Sequence, residues 1–340
     1  MRPFHVRGTD RAIMTVKINY DGDLFFTASQ DGGINCWLTE TGERLGNYKA
    51  SGAVKTLDLT DNSELLVSGS LEGSVDFFQI NGGKSLGKLT ADMRKAKWVE
   101  FSFGDENLII VYQPMTSTIN YETRILKVQE ILDKIKLRQT QDVLEITDTL
   151  ITPEKFKTTQ ASWGYLNQTI VMASTEGELL LLSYPQKQEI KRVQVHDGEI
   201  KQFTFAKDFS ILATAANDGC KIFDPATLQL LRQFKYEVPM NAVAISPLFN
   251  SEQKPKPHLI VAGGIPARET ARTKFQGFDI HICNVIYEEE VGKLLNPNQI
   301  GPINALAFFP DGKGFITGEE GGYSRVYKFD QTYWENDLFK

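Results

Sequence analysis

The sequence predicts an all-β fold, a seven-bladed β-propeller closed into a ring, and three observations predict it. The first is a recurring turn. DLFFTASQDGG (23–33), ELLVSGSLEGS (64–74), TIVMASTEGEL (169–179) and SILATAANDGC (210–220) each pass from apolar to small residues and end in an acidic residue and glycine: Asp31-Gly32, Glu72-Gly73, Glu176-Gly177 and Asp218-Gly219. The glycines lie 41 residues apart in the first pair (73 − 32) and 42 in the second (219 − 177), a period that belongs to four-stranded blades. The second is an alternating apolar segment found seven times: TVKINY, VKTLDL, AKWVEF, ASWGYL, IKQFTF, NAVAIS and NALAFF. Alternation at period two reads as a strand whose neighbours cover it. The third is a last blade that is one strand short, with a spare strand at the opposite end of the chain.

In chain order, each alternating segment opens a blade, the apolar run follows it, and the acidic-glycine turn leads to a third strand such as INCWL, VDFFQI, LLLLSY, KIFD, FDIHIC or YSRVYKF. Trp37 stands where WD-type repeats carry their signature tryptophan; Phe78, Tyr184, Phe223 and Tyr327 hold that place in other copies. Fourth strands such as GERLGNYK and LQLLRQFK complete the blades. Spacing stretches after the third and sixth copies, so blades three and six carry insertions, about 129–158 and about 250–277. In the first, Ile131, Leu132 and Ile135 have helical spacing ahead of a strand-like VLEIT, which predicts a short helix and the outer strand of blade three. The second, NSEQKPKP and GGIPARETARTKFQG, is polar, basic and rich in Gly and Pro, and is expected to form exposed, mobile loops, either tolerated surface or a contact for a partner. Blade seven shows strands at about 304–309, 314–318 and 323–329, and PFHVR (3–7) is the natural fourth, since closure removes an open sheet edge. Residues 1–340 then form one propeller domain.

Composition narrows the function. With 41% hydrophobic and 24% charged residues the chain is an ordinary folded protein, and its net charge of −6 argues against a broad phosphate-neutralising surface. Cys36, Cys220 and Cys283 make no disulfide framework and no membrane span or signal segment is visible, so a cytoplasmic location is expected. His5, His196, His258 and His281 are scattered, and His281 with Cys283 would supply only two metal ligands. No G-x-S-x-G elbow or Walker-type phosphate loop occurs. The recurring acids Asp31, Glu72, Glu176 and Asp218 read as turn chemistry, and Glu288-Glu289-Glu290 as a solvated turn or outer-strand edge. No catalytic residue, metal or cofactor is expected.

Three stretches resemble one family. DGDLFFTASQDGGINCWLTETGERLGNY (21–48) resembles the first repeat of subunit i of eukaryotic translation initiation factor 3, while FDIHICNVIYEEEVGKL (278–294) and IGPINALAFFPDGKGFITGEEGGYSRVYKFDQTYW (300–334) resemble its sixth and seventh blades. The Glu288–Glu290 triplet, Gly292, Gly301-Pro302-Ile303-Asn304 and Pro310-Asp311-Gly312 fall where that family has them. Similarity is thin from about 105 to 160, the usual Gly-His steps are missing, Phe308-Phe309 replaces a Phe-His step and Gly321 an acidic residue, as in a divergent lineage. The resemblance implies a non-catalytic scaffold that joins subunits b and g and takes part in mRNA recruitment and scanning by the 40S ribosomal subunit, without direct sequence-specific nucleic-acid binding. It further implies that Asp208 and Asp224, with Phe223 beside the second, form the outer surface of blades five and six that receives the C-terminal segment of subunit b. Each carboxylate also has a structural reading: Asp208 as a turn former, and Asp224 as the aspartate that ends the third strand of many WD-type repeats. Two other readings stay open: an adaptor of another cytosolic complex, in signalling or ubiquitin ligation, and a metal-dependent propeller hydrolase. Affinity purification separates the first, and trace-metal analysis the second.

Overall fold

Each repeat becomes one four-stranded antiparallel sheet, and seven such sheets follow one another around a ring. A computed structural model describes residues 3–137, 148–151, 153, 155–265, 278–295 and 301–335. Blade one runs Ile13–Ile18, Leu24–Ser29, Gly33–Leu38 and Arg44–Lys49, from the inner to the outer strand. Blade two is Val54–Leu59, Leu65–Ser70, Ser74–Gln79 and Ser85–Thr90, and blade three Arg94–Phe101, Asn107–Pro114, Glu122–Lys127 and Asp148–Leu150. Blade four is Thr158–Trp163, Thr169–Ser174, Glu178–Ser183 and Glu189–Gln194, and blade five Ile200–Phe205, Leu212–Ala216, Gly219–Phe223 and Leu230–Phe234. Blade six is Met240–Ile245, His258–Gly263, Ile280–Asn284 and Glu289–Leu294. Blade seven takes Ile303–Phe308, Gly314–Glu319 and Tyr323–Lys328 from the C-terminal region and its outer strand, Phe4–Arg7, from the N-terminal end, with Val6 opposite Ser324.

The acidic-glycine turns have a physical reason. Gly73 and Gly177 adopt φ of +89° and +85°, and a Cβ there would lie 2.4 Å from the Ala91 carbonyl oxygen and 2.0 Å from that of His196, so only glycine fits. The acids tie each turn to the loop that enters the same blade. Asp31 accepts from Thr9 at 2.5 Å, Glu72 from the Ala53 amide at 2.7 Å, Glu176 pairs with Lys157 at 2.5 Å, and Asp218 meets His196 at 2.5 Å.

Inner strands are stitched across the junctions by side chains that reach the next blade's backbone. Thr56 and Asp58 accept from the amides of Val99 and Phe101, Glu100 from Trp163, Gln160 from Phe203 and Gln202 from Val243. Asn241 and Asn304 donate to the carbonyls of Ile303 and Ile13, and the Lys17–Asp58 pair at 3.0 Å joins blades one and two. Between the blades lie buried apolar clusters, such as Phe26, Tyr48, Leu57, Leu66 and Phe78 between blades one and two.

Some elements differ from expectation. The inner strand of blade four begins at Thr158, so in ASWGYL only Ala161–Trp163 is strand, and Gly164 starts a turn. Helix α1 spans Val128–Leu137, burying Ile131 with Leu132 and Ile135 packed beside it. The outer strand of blade three is Asp148–Leu150, and the VLEIT segment (143–147) lies outside the described residues. In the blade-six insertion, 266–277 also lie outside them, but Lys256 is buried rather than exposed. A second helix, α2 (Gln331–Glu335), covers it: Lys256 donates to the Tyr333 carbonyl at 2.5 Å, and Tyr333 stacks on Phe329 at 4.0 Å.

Candidate partner-binding surface

Asp208 sits in the turn that follows the inner strand of blade five, and Asp224 in the turn that follows the third strand of the same blade. In an antiparallel sheet those two turns share one end, so both carboxylates stand on the same side of the ring. Asp208 accepts from the Ser210 amide at 3.1 Å, the Ser210 hydroxyl at 2.7 Å and Asn250 of blade six at 2.6 Å. Partial burial pushes its pKa up, but the bonds from Asn250 and Ser210 outweigh it and hold the carboxyl below the usual value. Asp224 accepts from the amides of Thr227 and Ala226 at 2.8 and 2.9 Å and from the Thr227 hydroxyl at 3.0 Å. The Thr227 amide leads in lowering its pKa. Both carboxylates are therefore ionised at neutral pH, and Asp224 uses a single oxygen for its turn.

Phe223 is not on this surface. Its side chain is 2% exposed and packs with Val171, Leu181, Phe203 and Leu212 between blades four and five. The cause is its slot, the one Trp37 fills in blade one, where that ring is buried beside Phe25 and donates to Thr27 at 3.0 Å.

Other residues supply the apolar surface. Among the described residues, the outer strand carries a β-bulge in five blades, and the unpaired residue is aliphatic in each: Leu45, Leu86, Ile190, Leu231 and Val291. A bulge frees one side chain from the ladder and blunts the edge strand. Leu231 and Val291 are 39% and 46% exposed, and Leu230, Ile286 and Tyr287 beside them are exposed as well. Blades five and six are joined at this level, because Glu288, in the blade-six turn, accepts from the Gln233 amide of the blade-five outer strand at 3.1 Å. Glu288 is thus a turn residue and Glu289 and Glu290 open the outer strand, with His281 2.7 Å from Glu290. Sequence reasoning takes GERLGNYK and LQLLRQFK as plain outer strands and misses these residues, because a bulge is a property of the register between two strands.

Elsewhere, Cys36, Cys220 and Cys283 are buried, and Cys283 lies 3.1 Å from the Tyr236 hydroxyl. Among the described residues no helix is long and apolar enough to cross a membrane.

A family model described as EIF3I matches residues 1–338. The chain is 32% identical over 340 residues to eukaryotic translation initiation factor 3 subunit I of Dictyostelium discoideum, covering 99% of this chain and 97% of that one. It is 31% identical to the Bombyx mori subunit, covering 98% of each. In fold it is similar to the WD40 β-propeller domain of Doa1, with TM-score 0.71, 15% identity and 98% of each chain covered. The β-propeller domain of Cps50 (Swd1) from Myceliophteria thermophila is similar too, at TM-score 0.76 and 14% identity, with 96% of this chain and 98% of that one covered. A match over nearly the whole chain, on a ring whose blades keep the register of the repeats, places this protein in the family of eukaryotic translation initiation factor 3 subunit I.

Proposed function

We propose that the chain serves translation initiation factor 3 as a non-catalytic scaffold in the cytoplasm, joining its b and g subunits and supporting mRNA recruitment and scanning by the 40S ribosomal subunit. The observation that carries the contact with subunit b is the exposed strip of Leu230, Leu231, Ile286, Tyr287 and Val291 on blades five and six, with two ionised aspartates on the same end. An amphipathic helix with basic residues at one end fits such a strip. The chain carries its own precedent on blade two, where the bulged Leu86 packs into the cluster that holds Ile131, Leu132 and Ile135 of α1. Burying one exposed leucine contributes roughly 1.5–3 kcal/mol, and breaking a partly desolvated Asp–Arg pair costs about 2–5 kcal/mol.

Both aspartates also hold turns, so a change to lysine mixes lost charge with a damaged turn. Asparagine keeps an acceptor oxygen and removes only the charge. Binding to subunit b should fall about tenfold in Asp208→Asn/Asp224→Asn and be lost in Leu231→Asp/Val291→Asp, with melting temperatures within about 3 °C of wild type. Wild-type affinity in both variants would exclude this surface.

A further inference from the structure

We infer that the mouth of the central channel, at the starts of the inner strands, is a binding site for a phosphate dianion held by Lys55, Lys97 and Lys201. Every inner strand is bulged at one residue near its start: Met14, Lys55, Lys97, Thr159, Lys201, Asn241 and Asn304 in blades one to seven. The extra residue leaves the ladder, so its side chain is re-aimed, and the seven together ring one end of the channel. Four of them are satisfied locally. Thr159 donates to the Ile200 carbonyl at 3.0 Å, Asn241 to Ile303 at 3.1 Å and Asn304 to Ile13 at 3.0 Å, while the Met14 sulfur accepts from Gln30. The charge of the ring therefore belongs to the three lysines.

One carboxylate stands among them. Glu199, just ahead of the blade-five strand, lies 3.2 Å from the Lys97 ammonium and 3.6 Å from that of Lys201. Burial raises the pKa of Glu199, but Lys97 and Lys201 outweigh that and keep it ionised. Lys55 is half-buried and has no hydrogen bond or ion pair among the described residues. Burial strips water from its ammonium and Lys97 and Lys201 repel it, so its pKa falls to about 8, with Glu199 offsetting part of the effect. Three ammonium groups less one carboxylate leave a charge of about +2 at the mouth.

A phosphomonoester carries about −1.5 to −2 at neutral pH and presents three acceptor oxygens. It matches the excess charge, whereas a single Asp or Glu side chain would neutralise half of it. Lysine binds phosphate as a point charge, so three converging ammonium groups suffice without a bidentate fork. Asp208 follows the end of its inner strand and these lysines lie at the starts of theirs, so the site is on the opposite end of the ring from the candidate partner surface.

The test is NMR of the intact chain with lysines reductively 13C-methylated, which keeps their charge, titrated with inorganic phosphate against sodium chloride at matched ionic strength. The Lys55 signal, assigned by Lys55→Arg, should shift saturably with phosphate, and its pKa should rise, while the exposed Lys84 follows ionic strength alone. Lys97→Gln/Lys201→Gln should weaken binding at least tenfold. Glu199→Gln should tighten it several-fold, a gain that misfolding cannot imitate. A second arm uses a phosphoserine peptide: competition with phosphate identifies a dianion carried on a partner chain, and binding of phosphate without peptide identifies a free ion. A Lys55 signal that tracks Lys84 in both salts, or wild-type phosphate affinity in Lys97→Gln/Lys201→Gln, would overturn the inference.

Discussion

Burial strips water from the His258 ring and Lys256 beside it adds a like charge, so the pKa of His258 falls to about 4. His196 is lowered as well, because burial outweighs its bond to Asp218. In the unfolded chain both titrate near 6.5. A folded pKa below the unfolded one means that protons favour unfolding, so the stability present above about pH 6.5 is lost as pH falls toward 4. For His258 the loss between pH 7 and pH 5 is on the order of 2 kcal/mol. Denaturant titrations at the two pH values should show wild type losing that much more than His258→Gln; equal losses would mean that His258 does not carry the effect. At this scale the sequence was half legible. It put Phe223 in the slot of Trp37, which implies an interior ring, and that position in the blade decides its burial over its neighbourhood to Asp224. Lys256 was misread because its cover, Tyr333, arrives from 77 residues downstream.

Among the elements, the outer strand of blade seven has four residues, yet Val6 on it is 7% exposed and packs with Ile13, Trp37 and Val326. Deleting residues 1–7 removes that contact and leaves Tyr323–Lys328 as a bare edge, costing about 3 kcal/mol from the buried valine and the lost ladder together. A melting temperature several degrees lower, with earlier aggregation, is the expected outcome; a truncated protein that melts and elutes like the full chain would refute closure. Strands and α1 were readable because periods of two and 3.6 are local properties of sequence. The bulges were not, since they belong to the register between two strands. Of the outer strand of blade three the described residues show Asp148–Leu150, too few to carry a period, and VLEIT lies outside them.

Around the whole molecule, stability depends on junctions that repeat in position and differ in chemistry. Between blades one and two the link includes an ion pair, and Asp58 also holds the Phe101 amide of blade three at 2.8 Å. Lys17→Met leaves Asp58 without its cation beside Glu100, whose carboxyl burial already pushes to about 7. A loss of about 3 kcal/mol is expected, against almost none for the exposed Lys84→Met, and equal stabilities would show the pair to be dispensable. The seven-fold ring itself was legible because its period is written along the chain. Its closing strand has a further consequence during synthesis. Arg7 pairs with Tyr323, 316 residues later, so at roughly 5–20 residues per second this strand waits on the order of half a minute for its neighbour. Through that interval the nascent propeller is an open arc with two unsatisfied ends, and ring closure is the meeting of two segments made far apart in time.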